Sequence, residues 1–245
     1  MTTLVGQIRL EAKIFLRGKQ NVFMTLAFPV IMILIFGAVF SSQTWSGVPA
    51  INYLIPGIIV MALMMVCMNN NAIKVVGERE KGIYRRLSLT PLKKQTLLLG
   101  DIFVRYAIVI VGTMLLTAVG TVVFKAHLDV SHFLFWFVLT LGTLTFIAIG
   151  FVLTSIAKNT NSMMTIGMAV LFPFMFLGAC YWPLEQMPTF IRPFCEALPT
   201  LHLNAALRMI AIQGAGFSQI WPELPVLLAW LVGSSVLAVK CFKWE

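Results

Sequence analysis

Few residues in this sequence have the type and spacing to do chemistry, and most of them crowd one short stretch. Gly77 and Gly82 have the GxxxxG spacing of a phosphate-binding loop. Ile83 and Tyr84, however, stand where such a loop needs Lys and Ser/Thr, and no core strand precedes it, so ATP hydrolysis by that route is excluded. The residues between the glycines carry the charge: Glu78-Arg79-Glu80-Lys81, then Arg85 and Arg86. A short helix from about Glu78 to Leu89 would place acids first and bases last, as the helix dipole favours, and Pro91 would end it at Thr90.

Other reactive patterns are missing from the sequence. There is no HExxH, no GxSxG and no pair of intramembrane aspartates. Cys67, Cys180, Cys195 and Cys241 have neither CxxC pairing nor zinc spacing, so no metal site is expected. His127, His132 and His202 are read as ordinary interfacial polar residues.

The chain that must position the charged stretch is very apolar. Of 245 residues 59% are hydrophobic and only 11% charged, with a mean hydropathy of +0.91. A soluble domain carries about 25% charged residues, so a water-soluble enzyme is excluded, and 19 Phe, 14 Met and 6 Trp exclude a disordered chain. The net charge of +9 does not indicate a nucleic-acid binder, because the polar surface that would carry a basic patch is lacking. The expectation is an all-α, polytopic membrane protein folded as a single domain.

No charge occurs between Lys19 and Lys74, too long a run for one crossing of about 20 residues. The turn formers of 41–49 divide it into spans at 22–40 and 53–73. Further spans are expected at 106–124, 133–157, 163–182 and 224–241, the last a charge-free 224–239 extended by Lys240 at the interface, giving six apolar segments without Asp, Glu, Lys, Arg or His. That absence disfavours proton- or ion-coupled carriage. The first span is as long as a full crossing and no A-x-A site follows Phe40, so it is expected to stay as an anchor. Fifteen Lys and Arg fall on the face that holds both termini and three on the other, which predicts cytoplasmic termini.

The segments outside the spans have patterns of their own. At 100° per residue Leu4, Val5, Ile8, Ala12, Phe15 and Leu16 share one face, with Arg9, Lys13 and Arg17 on another, the pattern of a helix in the cytoplasmic interface. Prolines chop 183–222, and the apolar stretch 201–212 is too short to cross, which predicts short helices packed as a lid at the outer mouth. Cys180 and Cys195 could meet there, although an apolar setting favours free thiols. Met61, Met64, Met65 and Met68 line up on the second span, and Met163, Met164, Met168 and Met175 lie on the fifth near Phe172. Soft thioethers suit varied apolar ligands, and helix packing or lipid contact is the alternative. Asn69, Asn70 and Asn71 are placed to bond across a helix interface or to line a gate.

In this order the features resemble the membrane subunits of type-2 ABC exporters. Glu78-Arg79-Glu80-Lys81-Gly82 with Leu87-Ser88-Leu89-Thr90-Pro91-Leu92 is similar to that family's Glu-Arg-Glu-x-Gly segment ending in Thr-Pro. Gly178, Trp182-Pro183-Leu184-Glu185-Gln186-Met187-Pro188, Leu198-Pro199-Thr200 and Arg208 resemble its outer segment. Ile83-Tyr84 depart from it, where the family often has a small polar residue followed by an apolar one.

The resemblance implies a coupling helix formed by Glu78, Arg79, Glu80, Gly82, Tyr84, Leu87, Thr90 and Pro91, docked on a cytoplasmic ATP-binding subunit. ATP and magnesium would belong to that partner, with no cofactor in this chain. It implies a second permease, as homodimer or sibling, and a path between the second and fifth spans. Met61, Met64, Met65, Met68, Asn69, Met164, Met168, Phe172 and Met175 are its candidate lining. The implied protein sits among the lipids of the bacterial inner membrane and exports a hydrophobic or amphipathic drug, antibiotic or lipid. A lipid-linked polysaccharide, or a passive channel or scaffold, are the alternatives.

Overall fold

The computed structural model describes residues 2–45, 47–87 and 94–241. Among these described residues six helices are long and apolar enough to cross a membrane: Phe23–Phe40, Ala50–Glu80, Thr96–Phe124, Phe133–Ile156, Thr160–Leu177 and Phe217–Cys241, the first to sixth spans. A helix Thr2–Arg17 precedes them. A two-residue antiparallel ladder, Thr44 opposite Pro49 and Trp45 opposite Val48, joins the first span to the second.

The second span is the hub. Its most apolar window is 89% buried within the protein and that of the fourth span 72%, against 17–28% for the other four. The residues that select it are polar and small ones, since in lipid these mark helix contacts. Asn52 accepts from the His127 amide, and Asn70 donates to Thr25 of the first span at 3.4 Å. At Gly57 a Cβ would lie 1.8 Å from the Cys180 carbonyl oxygen, so only glycine lets the end of the fifth span approach. Gly167 receives Asn69 in the same way.

Several expected boundaries move. The second helix has 31 residues, roughly 46 Å at 1.5 Å per residue, whereas the hydrocarbon layer is about 30 Å thick. It therefore does not stop at 73 but runs to Glu80, and the third begins well before 106. Lys74, Glu78, Asp101 and Arg105 thus lie on the spanning helices, because backbone hydrogen bonding does not end at the lipid boundary. The fifth span ends at Leu177 rather than 182, at a turn in which Ala179 takes a left-handed conformation (φ 52°). The helix expected from Glu78 to Leu89 is divided: Glu78–Glu80 close the second span, Gly82 turns the chain (φ 65°), and Ile83–Leu87 form a separate short helix.

At the opposite end the helix Pro199–Gln213 packs over the second, fourth and sixth spans, and Arg192–Glu196 packs against it. Pro199 starts the longer helix and Gly214 ends it in a left-handed cap (φ 64°). Leu203, Leu207 and Ile210 are fully buried beneath it. Cys180 and Cys195 are both free thiols, each buried in a different core cluster.

Candidate functional site

The charged stretch folds inward. Each residue of Glu78-Arg79-Glu80 reaches a different part of the same chain. Glu78 accepts from the Tyr84 hydroxyl at 2.8 Å, and its other oxygen lies 3.7 Å from the Lys74 ammonium. Arg79 Nη2 donates to the Ala157 carbonyl at 2.5 Å, where the fourth span ends. Glu80 accepts from the Thr160 amide at 3.1 Å and from its hydroxyl at 2.7 Å, where the fifth span begins. A cation at a helix C-terminus and an anion at a helix N-terminus both complement the helix dipoles. Asn159 and Ser162 complete that N-terminus with a reciprocal capping box.

Behind this triplet lies an ion-pair cluster that sequence reading missed. The Lys74 ammonium pairs with Glu11 of the N-terminal helix and, at 2.8 Å, with Asp101 of the third span. Asp101 in turn lies 3.3 Å from Arg105. Glu11, Asp101 and Arg105 are buried, so the charges compensate one another in a poorly solvated place. A signal was present: Glu11 is the only acid before Glu78, and Asp101 the only one between Glu80 and Asp129. An isolated acid in a basic, apolar stretch calls for a partner. The N-terminal helix packs against the third span. Gln7 and Glu11 face the third span, with Gln7 against Gly100, while Val5 and Leu16 are exposed together with Arg9, Lys13 and Arg17.

Of the residues expected to form the coupling helix, Glu78, Arg79, Glu80 and Tyr84 are therefore engaged within the chain, and Gly82 makes the turn. Glu80 is nonetheless exposed, as are Lys81, Arg85 and Arg86. Leu87 ends the short helix, while Thr90 and Pro91 lie outside the described residues.

The expected path lining separates into two groups. Met61, Met64, Met68, Asn69 and Met175 are buried inside the protein, and Met61 receives the Tyr181 hydroxyl. Four of them lie on the central second span and Met175 on the fifth; Met65 is half-buried. Met164, Met168 and Phe172 are exposed at four-residue spacing, a stripe that Phe176 extends by stacking on Phe172 and Trp182.

The outer segment is held by two polar centres. Arg208 is buried and stacked 3.5 Å over the Tyr53 ring. Its Nε donates to the Tyr53 carbonyl at 3.1 Å and its Nη2 to the Ala179 carbonyl at 2.7 Å. The left-handed Ala179 turns that carbonyl towards the guanidinium. Pro183 is buried and opens the turn Leu184–Gln186, the Glu185 carbonyl accepts from Arg192 at 3.0 Å, and the Pro188 carbonyl accepts from the Ile191 amide. A cavity of about 470 Å³ opens beside Arg208, with Tyr53, Glu185, His202, Met209 and Glu223 among its walls.

His202 is the second centre. Nδ1 meets a Glu223 carboxylate oxygen at 2.5 Å and Nε2 meets the Glu196 carbonyl at 2.7 Å. Both partners are acceptors when Glu223 is ionised, so both ring nitrogens must donate, and the ring is held as imidazolium. The bond from Glu223 raises its pKa above the ordinary value of 6.5, burial opposes this, and the Glu196 carbonyl adds to the rise. A raised folded-state pKa gives stability that is complete below 6.5 and is lost as pH rises through the folded value. We therefore expect the melting temperature of the purified protein to fall over that upper interval in the unsubstituted chain. A His202→Gln variant should lack this step; parallel pH profiles for the two would refute the imidazolium assignment.

Six apolar helices, with a capped helical segment at one end and a charged hub at the other, mark a multi-pass membrane protein. A sequence profile described as ABC-2 type transporter matches residues 8–212, and the chain belongs to that family. It is similar to the Escherichia coli inner membrane transport permease YhhJ, 23% identical over 70% of this chain and 46% of YhhJ. It is 22% identical to the probable multidrug ABC transporter permease YbhR of E. coli over 78% of this chain and 52% of YbhR. It is also 22% identical to ABC transporter G family member 20 of Dictyostelium discoideum, over 77% of this chain and 26% of that protein. The chain thus spans about half of these relatives' length, or less. It is an ABC transporter membrane subunit.

Proposed function

We propose that the chain is the membrane half of an ATP-driven exporter that carries a hydrophobic or amphipathic compound out of the cytoplasm. The observation that carries this reading is the triplet Glu78-Arg79-Glu80, which ties one exposed turn to the N-terminal helix and to four of the six spans. A permease without a phosphate loop needs work from outside, and a turn so braced can deliver it to many helices at once. The partner is a cytoplasmic ATP-binding subunit, which supplies ATP and magnesium chemistry. Exposed Lys81, Arg85 and Arg86 suit an acidic recess on it. A second permease completes the pore. The protein resides in the bacterial inner membrane with both termini cytoplasmic, as the distribution of Lys and Arg supports. Arg9, Lys13 and Arg17 face the lipid phosphates.

An amphipathic drug is favoured as substrate because the exposed stripe of Met164, Met168 and Phe172 offers adaptable apolar surface without a charged cage. YbhR's description as a probable multidrug permease agrees with this choice. The Met residues of the two groups should respond differently to substitution. Met164→Ala with Met168→Ala should alter substrate preference with little loss of stability. Met64→Ala should cost about 2–5 kcal/mol of stability, the usual range for a large core residue. Equal transport of every compound by the first variant would remove the stripe from the path.

The reading is tested by copurifying the tagged chain with the ATPase encoded beside it, then measuring hydrolysis in lipid. The panel is rhodamine 6G, Hoechst 33342, doxorubicin and a short-chain fluorescent phosphatidylethanolamine. A stable complex whose hydrolysis rises with one or more of these is the expected result. Failure of any ATPase to associate would contradict it.

A further inference from the structure

The short helix Ile83–Leu87 hangs from the second span by the Lys81–Gly82 turn. Gly82 has φ 65°, and a Cβ there would touch nothing within 4 Å, so the turn is an open hinge. Backbone bonds within the turn, from the Gly82 amide to the Arg79 carbonyl and from the Arg86 amide to the Gly82 carbonyl, link only close neighbours. Tyr84 does more. Its side chain folds back across the hinge, and the hydroxyl donates to Glu78 Oε2 at 2.8 Å. Burial and the Glu78 charge push that hydroxyl far above the ordinary phenol range, so it stays a donor. The opposite carboxylate oxygen faces Lys74, which holds Glu11 on the N-terminal helix and Asp101 on the third span. The polar chain is therefore continuous from the exposed turn to two other elements.

We infer that Tyr84 is a positioning residue whose hydroxyl braces the Gly82 hinge against Glu78. A push on the outer face of Ile83–Leu87 then displaces Lys74, the N-terminal helix and the third span instead of folding the turn. Tyr84 is half-buried and its neighbours Arg85 and Arg86 are exposed; Arg86 Nη2 also donates to the Lys81 carbonyl at 3.0 Å, a bond confined to the turn, whereas the Tyr84 hydroxyl reaches the second span. This assignment rests on the ATP-coupled reading above, and it predicts that one hydroxyl governs how much transport each ATP yields.

The test uses Tyr84→Phe, Glu78→Ala and the double variant in the copurified complex in liposomes, reading dye moved per ATP hydrolysed for the best-transported compound of the panel. Tyr84→Phe should copurify with the ATPase subunit in unchanged yield and lower the ratio about tenfold, the scale of one hydrogen bond to a charged group. The double variant should be no worse than Glu78→Ala alone, because both remove one link. A nitroxide on Arg86→Cys, in a chain whose other cysteines are Ser, should become more mobile with Tyr84→Phe. An unchanged ratio, loss of the ATPase subunit with Tyr84→Phe, an additive double variant or an unchanged nitroxide would each overturn the assignment. If the unsubstituted complex does not couple ATP to transport, the exporter reading fails instead, and nitroxide mobility still decides whether Tyr84 braces the hinge.

Discussion

Lys74→Met should cost about 3–5 kcal/mol of stability, the loss typical of breaking a buried ion pair by removing one partner. The ammonium is shared by Glu11 and Asp101, which are 8% and 7% exposed, and approaches Glu78 at 3.7 Å. Methionine keeps most of the length and removes the charge, so Glu11 loses its ion-pair partner and Asp101 is left with Arg105 alone. Because Glu11 belongs to the N-terminal helix, that helix should loosen first and become open to proteolysis within Thr2–Arg17. Adding Glu11→Gln should recover part of the loss, since one unpaired charge is then removed. Thermal unfolding in detergent and limited proteolysis read both effects. Unfolding and proteolysis unchanged in Lys74→Met would mean that water, not Lys74, compensates these carboxylates.

The second large effect is expected at the other end of the bundle. Arg208→Met should destabilise the outer segment by about 3 kcal/mol or more, since buried carbonyls lose a charged donor and each unpaired group costs about 1–3 kcal/mol. Those carbonyls belong to Tyr53, Ala179 and Cys180, at 3.1, 2.7 and 3.4 Å. The left-handed backbone at Ala179 is held against them. Arg208→Lys should recover little, because a single ammonium cannot reproduce the planar fork. Cys180 is fully buried beside this centre, so its maleimide labelling reports the damage directly. In a Cys241→Ser background, Cys180 should be inert in the unsubstituted chain and labelled in Arg208→Met. Labelling equal in both would show that Arg208 does not hold the segment closed.

The six crossings were legible because a charge-free apolar run can scarcely be anything else, and the turn formers at 41–49 divided the longest one. Helix ends were not legible, since nothing in the lipid boundary stops a helix and Lys74, Glu78 and Asp101 find partners in one another. The triplet could be marked as important from its charges, but not its direction. The groups that Arg79 and Glu80 reach, Ala157 and Thr160, are 78 and 80 residues away in sequence. The two groups of methionines were not separable in the sequence for a different reason. A span apolar on every side reads alike whether protein or lipid surrounds it, so Met61, Met64 and Met68 looked as available as Met164 and Met168. The polar Asn52, Asn69, Asn70 and Asn71 carried the information that the second span is the buried one. His202 looked ordinary because its partner Glu223 lies 21 residues away, past the end of its own helix.

The most direct test of the central claim is ATP-driven movement of dye in liposomes that hold the chain and its ATPase, with the ATPase side outward. Rhodamine 6G or another compound of the panel should accumulate in the lumen when ATP and magnesium are added outside. Accumulation should stop when the catalytic glutamate of the ATPase is replaced by glutamine. Dye or ion flux through the chain that ignores ATP would contradict the account and identify a passive channel.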